Sequence, residues 1–339
     1  MIRSSLRRLS CRLARRLATV TIAVLGLGAA TAAPLTAADA LKIAYSDWPG
    51  WVAFDIAIQK GWYKEAGVDV EFVWMEYVPS MEAFQAGKVD AVTVTNGDQL
   101  VMGAAGKASK AILINDISYG NDMIVARAGI TSIKDLKGKK IGLELGFVEH
   151  LMLLKALEAN GMTEADVTLV NVPTNDTPQT LASGGVDAIG AWQPNSGAAL
   201  KSVPGSTAVY TSKDVPGLIY DVVAVSAESL GTRKAEWAKF VTVWPKIVAY
   251  IQDPKTKDDA VKIMAARVNV PAAEYGLLLP GTKFFDTAMA KKAFMPTEGL
   301  DSVLGSSKVA NAFNLANKVY EAKIDPAAFL DASLVQALP

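Results

Sequence analysis

The chain has 339 residues, 51% of them hydrophobic, and balances 34 basic against 34 acidic side chains. That is enough apolar material for two domains of ordinary size. A single histidine and a single cysteine exclude a multi-histidine zinc site and an internal disulfide framework.

Residues 1–40 have the order of an export signal. Six arginines (Arg3, Arg7, Arg8, Arg12, Arg15, Arg16) precede an uncharged run over 17–30, and Ala38-Asp-Ala40 offers small residues for cleavage before Leu41. The run is too short to span a bilayer comfortably, and the residues after Arg7-Arg8 fit ordinary secretion better than twin-arginine export. Cys11 lies within the basic region, so it suits neither a lipid anchor nor a disulfide. Beyond this segment 28 basic residues face 33 acidic ones, and only Arg127, Arg233 and Arg267 remain as arginines. No basic cluster is left for nucleic acid, and the expected product is a mildly acidic periplasmic protein.

Strand-like and helix-like runs then alternate. Leu41–Tyr45 reads as a strand, 53–65 as a helix closed by Gly67, and 68–74 as a strand of period two. Ser80 caps a helix that stops at Gly87, and 91–94 and 111–114 are apolar strands. A second series comes next: strands at 123–126 and around Ile141, a helix over 147–159, a strand over 168–172 and a helix over 178–183. Tyr220–Ser226 reads as a returning strand, and from Arg233 onward the pattern is helical, broken at Pro254, Pro271, Pro280 and Pro296. This order predicts mostly parallel sheets with helices on both faces.

One phrase occurs twice. Gln85-Ala-Gly-Lys-Val-Asp90-Ala-Val and Ala182-Ser-Gly-Gly-Val-Asp187-Ala-Ile each lead from a helix into a strand, 97 residues apart. That spacing suits two similar α/β lobes with a cleft between them. One lobe is expected over 41–122 together with 222–339 and the other over 123–221, joined by two crossing strands that form a hinge. The repeated aspartates start strands and are expected to bond to nearby backbone rather than to a solute.

Four phrases in order, Lys60-Gly-Trp-Tyr-Lys-Glu-Ala-Gly-Val-Asp-Val70, Ala86-Gly-Lys-Val-Asp90, Ile133-Lys-Asp-Leu-Lys-Gly-Lys-Lys-Ile141-Gly and Gly185-Val-Asp-Ala-Ile-Gly-Ala-Trp192-Gln-Pro194, carry a family likeness. The chain resembles the periplasmic solute-binding proteins of nitrate/sulfonate/taurine-type ABC importers. A narrower likeness, to binding proteins associated with urea carboxylase gene clusters, rests on Ser46-Asp-Trp-Pro-Gly-Trp51, Val94-Thr-Asn-Gly-Asp98 and Asn115-Asp-Ile-Ser-Tyr-Gly-Asn-Asp-Met123. The resemblance implies a type II periplasmic-binding-protein fold, a small-molecule solute such as urea or guanidinium, an ABC permease as partner, no cofactor and a monomer.

In open α/β sheets a ligand lies beyond the carboxyl ends of the strands. By that rule the first lobe offers Ser46, Asp47, Trp48, Trp51, Tyr77, Asn96 and Asp98; the crossings offer Asp122 and Asp221; the second lobe offers Glu144 and Trp192. These positions hold several carboxylates and no lysine or arginine, whereas an oxyanion site needs cationic or N–H donors. A small cation fits better, guanidinium before urea, because the carbonyl of urea would face a fixed carboxylate. Taurine, a sulfonate or nitrate is the alternative solute class for the same receptor.

No catalytic residue is expected. His150 falls within the helix over 147–159 without triad partners, and neither a Gly-x-Ser-x-Gly elbow nor a phosphate-binding Gly-Lys-Ser/Thr loop occurs. A secreted hydrolase built on carboxylates alone is the weaker rival reading. Trp62 and Tyr63 are expected in the core.

Overall fold

The computed structural model describes residues 39–339. The expected signal sequence and Cys11 fall outside the described residues, apart from Asp39 and Ala40. Eleven strands among the described residues form two sheets.

In the first sheet β1 (Leu41–Tyr45) lies between β2 (Val70–Trp74) and β3 (Ala91–Thr95), all parallel. In the second, β6 (Lys140–Leu143) lies between β7 (Thr168–Asn171) and β8 (Ala188–Trp192), again all parallel. Each triplet is extended by an antiparallel strand beside its third member. For the first sheet this is β10 (Tyr220–Ser226), and for the second it is β5 (Asp122–Ala126). The first sheet continues through β4 (Ser109–Ser118) to the short β11 (Thr282–Phe284), and the second ends at β9 (Thr207–Thr211). The architecture is the two-sheet periplasmic-binding-protein fold. The chain passes from the first sheet to the second between β4 and β5 and returns between β9 and β10.

The doubled phrase performs the same task in both sheets. The Lys42 N–H donates to Asp90 Oδ2 at 2.9 Å, and the Lys140 N–H donates to Asp187 Oδ2 at 2.9 Å. The aspartate N–H groups return the bond to Lys42 O and Lys140 O, each at 2.8 Å. Each aspartate therefore pins the start of one parallel strand to its neighbour by giving the Lys N–H an acceptor. Asp187→Ala should lower the unfolding free energy by about 1.5–3 kcal/mol, the worth of one charge-assisted hydrogen bond. Chemical denaturation checks this, and solute affinity should stay unchanged.

Five expectations need correction. The sheets are mixed rather than mostly parallel, with four parallel strand pairings and five antiparallel ones, because each parallel triplet is flanked by strands that return the chain. Ser80 does not cap its helix, which starts earlier and runs Tyr77–Gln85; its hydroxyl donates to Tyr77 O at 2.6 Å. The helix over 53–65 is two helices, Phe54–Lys60 and Trp62–Glu65, because Gly61 turns left-handed at φ 71°. The strand over 111–114 runs ten residues, through Asn115 and Asp116, both fully buried. The region from Arg233 onward is not wholly helical, since it contributes β11. The long helix Lys234–Gln252 packs Trp237, Phe240 and Trp244 into the core beside Phe54 and Tyr63. Trp62 and Tyr63 are buried, as expected for core residues.

Candidate functional site

The carboxyl ends of the two sheets meet. Trp192, the last residue of β8, donates its indole N–H to Asp47 Oδ1 at 2.9 Å, just beyond β1. Asn195 Nδ2 donates to the other Asp47 oxygen at 2.9 Å. Asp47 thus holds the two halves together, with burial raising its pKa and these two bonds opposing the rise.

Beneath this contact lies a small cavity of about 10 Å³, room for about one water molecule. Its walls are Trp48, Trp51, Tyr77, Thr95, Asp122, Val148, Trp192 and Asp221. The rings form a box. Trp51 and Tyr77 stack with centroids 5.5 Å apart, Trp48 meets Trp51 at 6.5 Å, and Trp192 meets Tyr77 edge-on at 5.2 Å. Six sequence candidates, Trp48, Trp51, Tyr77, Asp122, Trp192 and Asp221, are brought together here. Asp98 lies immediately behind, accepting the Tyr77 hydroxyl at 2.7 Å and facing the Val148 N–H at the start of the helix Val148–Ala159.

Behind the box stand acids in pairs. Asp221 and Asp116 are cross-strand partners on β10 and β4, and their carboxyls face each other. Asp122 faces Glu149 in the same way. Asp116 Oδ1 accepts the Trp48 indole N–H at 3.1 Å, but no N–H or O–H reaches Asp116 Oδ2, Asp122 Oδ2, Asp221 Oδ2 or either Glu149 oxygen. Gly50 makes room for Asp116, since a Cβ there would sit 1.8 Å from its Oδ2. All four carboxyls are at least 97% buried, and burial raises the pKa of each, most for Asp221 and Glu149. Each pair therefore keeps a proton to higher pH than free carboxyls do. Burial also pushes Asp98 up to about 7, against the opposing bonds from Tyr77 and Thr95.

Glu144 is placed elsewhere. It lines an outer cavity of about 290 Å³ that shares only Tyr77 and Trp192 with the inner one. Asn96 does not face either cavity. Its amide N–H groups go to Ser306 and Ser307, at 3.0 and 3.1 Å, and its oxygen accepts from the Tyr220 N–H at 3.1 Å, so it is a structural clamp. Ser46 is buried with its hydroxyl unpartnered and lines neither cavity. His150 accepts from the Gly146 N–H and pairs with Glu164 at 3.4 Å.

Sequence reasoning missed Asp116 and Glu149. The signal that could have found them was an acid set within apolar residues: Asp116 interrupts the run of β4, and Glu149 opens a helix among Val148, Leu151 and Met152. Neither cavity is lined by lysine, arginine or histidine. Among the described residues no group of His, Cys, Asp or Glu is arranged to hold a metal ion.

The family model described as NMT1/THI5 like matches residues 48–256. The chain belongs to the NMT1/THI5-like family. Among curated relatives, a candidate binding protein of Brucella abortus is 31% identical over 176 residues, covering 51% of this chain and 54% of that protein. The arginine-binding extracellular protein ArtP of Bacillus subtilis is 32% identical over 118 residues, covering 34% and 44%. The matched stretch spans about half the length of these relatives. Among solved structures, the periplasmic aliphatic sulphonate binding protein SsuA of Escherichia coli superposes with a TM-score of 0.71 at 18% identity, covering 88% of this chain and 100% of that one. The likeness to SsuA is one of fold. This NMT1/THI5-like chain carries acids and aromatic rings at the place where its two sheets meet.

Proposed function

We propose that this NMT1/THI5-like protein is the periplasmic solute receptor of an ABC importer and that its solute is a small organic cation, guanidinium first. The observation that carries the reading is the inner cavity: four aromatic rings, two unpartnered carboxylate oxygens in its wall and no basic residue lining it. A delocalised planar cation offers N–H groups to Asp122 and Asp221 and its face to the rings, which part to admit it, since the cavity of about 10 Å³ holds about one water molecule. Two charged hydrogen bonds of roughly 1.5–3 kcal/mol each and a cation–π contact of about 0.5–2 kcal/mol reach, at their upper ends, the roughly 8 kcal/mol of micromolar binding. The ligand of the arginine-binding relative also bears a guanidinium group, whereas the sulfonate named for SsuA would bring its oxyanion against unpaired carboxylates. The narrower likeness to urea-carboxylase-associated binding proteins points to the same solutes.

In this reading the two halves, 41–122 with 222–339 and 123–221, close on the solute. The Asp47 contact to Trp192 and Asn195 is made only in the closed form, and that form is the one the permease meets. The protein works as a monomer after export and performs no chemistry on the solute. A second reading, urea, is favoured by one atom. Trp51 lines the cavity and its buried indole N–H has no acceptor, so it can donate to a carbonyl oxygen.

Calorimetric titration of guanidinium, urea, taurine, nitrate and an alkanesulfonate against ligand-free protein tests this. Guanidinium should bind at micromolar concentration or below, with taurine, nitrate and the sulfonate at least 100-fold weaker. Tight binding of an anion with no response to guanidinium would overturn the cation reading.

A further inference from the structure

We propose that the outer cavity is a second, separate subsite that takes the ammonium head and hydrocarbon body of a primary alkylamine, with Glu144 as its counter-ion. This rests on the reading of the inner cavity as the guanidinium site only in using guanidinium to block that site.

Glu144 lies just after β6 and is 93% buried. One of its oxygens accepts the Thr174 N–H at 3.0 Å, while no donor reaches the other, Oε2. The carboxylate faces a cavity of about 290 Å³ whose other walls include the apolar Val78, Phe147 and Pro173. That size stands at the lower end of the range of small-molecule pockets, enough for a short chain, and the combination of one buried charge with apolar walls matches an amphipathic cation. Leu145, at the rim, is 40% exposed, one of few large apolar side chains among the described residues left open to water. The inner cavity, at about 10 Å³, has no room for such a chain. No lysine, arginine or histidine lines the outer one to neutralise Glu144, and the charged groups that bear on it, Asp98 and Asp47, are also acids. Glu76, exposed on the opposite wall, adds a further negative charge. Burial raises the pKa of Glu144 to about 7, so the carboxylate is fully charged by pH 8.5.

The test is a titration of n-butylammonium at pH 8.5 into protein saturated with guanidinium. One equivalent should bind without displacing guanidinium, and Glu144→Gln should weaken it at least tenfold, since glutamine keeps the acceptor for the Thr174 N–H but loses the charge. Phe147→Ala should weaken n-butylammonium more than methylammonium, which has no chain to pack. Displacement of guanidinium, no binding to the saturated protein, or equal affinity for wild type and Glu144→Gln would each overturn the subsite. If guanidinium itself fails to bind, the same comparison of wild type with Glu144→Gln, made on protein without guanidinium, decides the subsite independently of the inner-site reading.

Discussion

Asp221→Asn should weaken guanidinium binding at least 100-fold and raise the melting temperature of the ligand-free protein. The two effects have one cause. Asp221 and Asp116 stand directly opposite each other on antiparallel strands, 2% and 0% exposed, without a cation between them. Like charges in cross-strand register repel, and the ligand-free protein tolerates them by keeping a shared proton. An asparagine at 221 supplies a permanent N–H to Asp116 in place of that proton, so the fold is relieved. The solute loses a charged acceptor at the cavity wall. A 100-fold loss corresponds to about 2.7 kcal/mol, within the range for a buried charged hydrogen bond. The relief should appear as a rise of roughly 2–5 °C. Titration at pH 8 and thermal unfolding without solute measure both. A variant that melts earlier and binds as before would make Asp221 an ordinary structural residue.

Guanidinium affinity should climb steeply between pH 5 and pH 8 while the melting temperature of ligand-free protein falls. The folded-state pKa of Asp98 is about 7 against an ordinary 3.8, and that of Glu144 about 7 against 4.5. The paired acids Asp116, Asp221, Asp122 and Glu149 are shifted in the same direction. A raised carboxyl pKa means that the folded state holds protons which the unfolded chain has already lost. The stability it contributes is therefore complete below about pH 4 and disappears as pH passes through about 7. The expected loss is about 3 kcal/mol or more between pH 5 and pH 8, since one pKa unit on one group is worth 1.36 kcal/mol. Asp135, Asp166 and Asp259, none of them buried, have lowered pKa values and act oppositely, below that window. A cation entering the cage expels the shared protons, and each one released adds up to tenfold in affinity per pH unit. Titrations in two buffers of different ionisation enthalpy count the protons. A flat affinity with no proton release would rule out the cage as the cation's seat.

Much of this was legible in the residues. The alternation of apolar runs with capped helices marked the parallel triplets, because strand and helix periods are written locally. The doubled phrase identified Asp90 and Asp187 as equivalent, and the two Lys N–H bonds supply the reason. The strand-end rule found six of the cavity residues, since residues just past parallel strands must lie at one edge of the sheet. It also named Asn96, which satisfies the same rule yet turns toward Ser306 and Ser307, 210 and 211 residues away in sequence. A helix contributed from the far end of the chain cannot be read from Asn96 itself.

What the sequence determined by itself was the periodicity, the repeat, the acidic balance and the presence of aromatics and acids at strand ends. The tertiary structure alone decided which of those acids lose water and which find donors. Asp47 and Asp221 look alike in the sequence, but Asp47 meets two N–H groups from the opposite sheet, while Asp221 meets Asp116. Nor does any local pattern separate Glu144 from the inner acids, although it faces a different cavity. The reason is physical: pairing and desolvation depend on groups tens to hundreds of residues apart in the chain, and only their packing sets the charge of the cage.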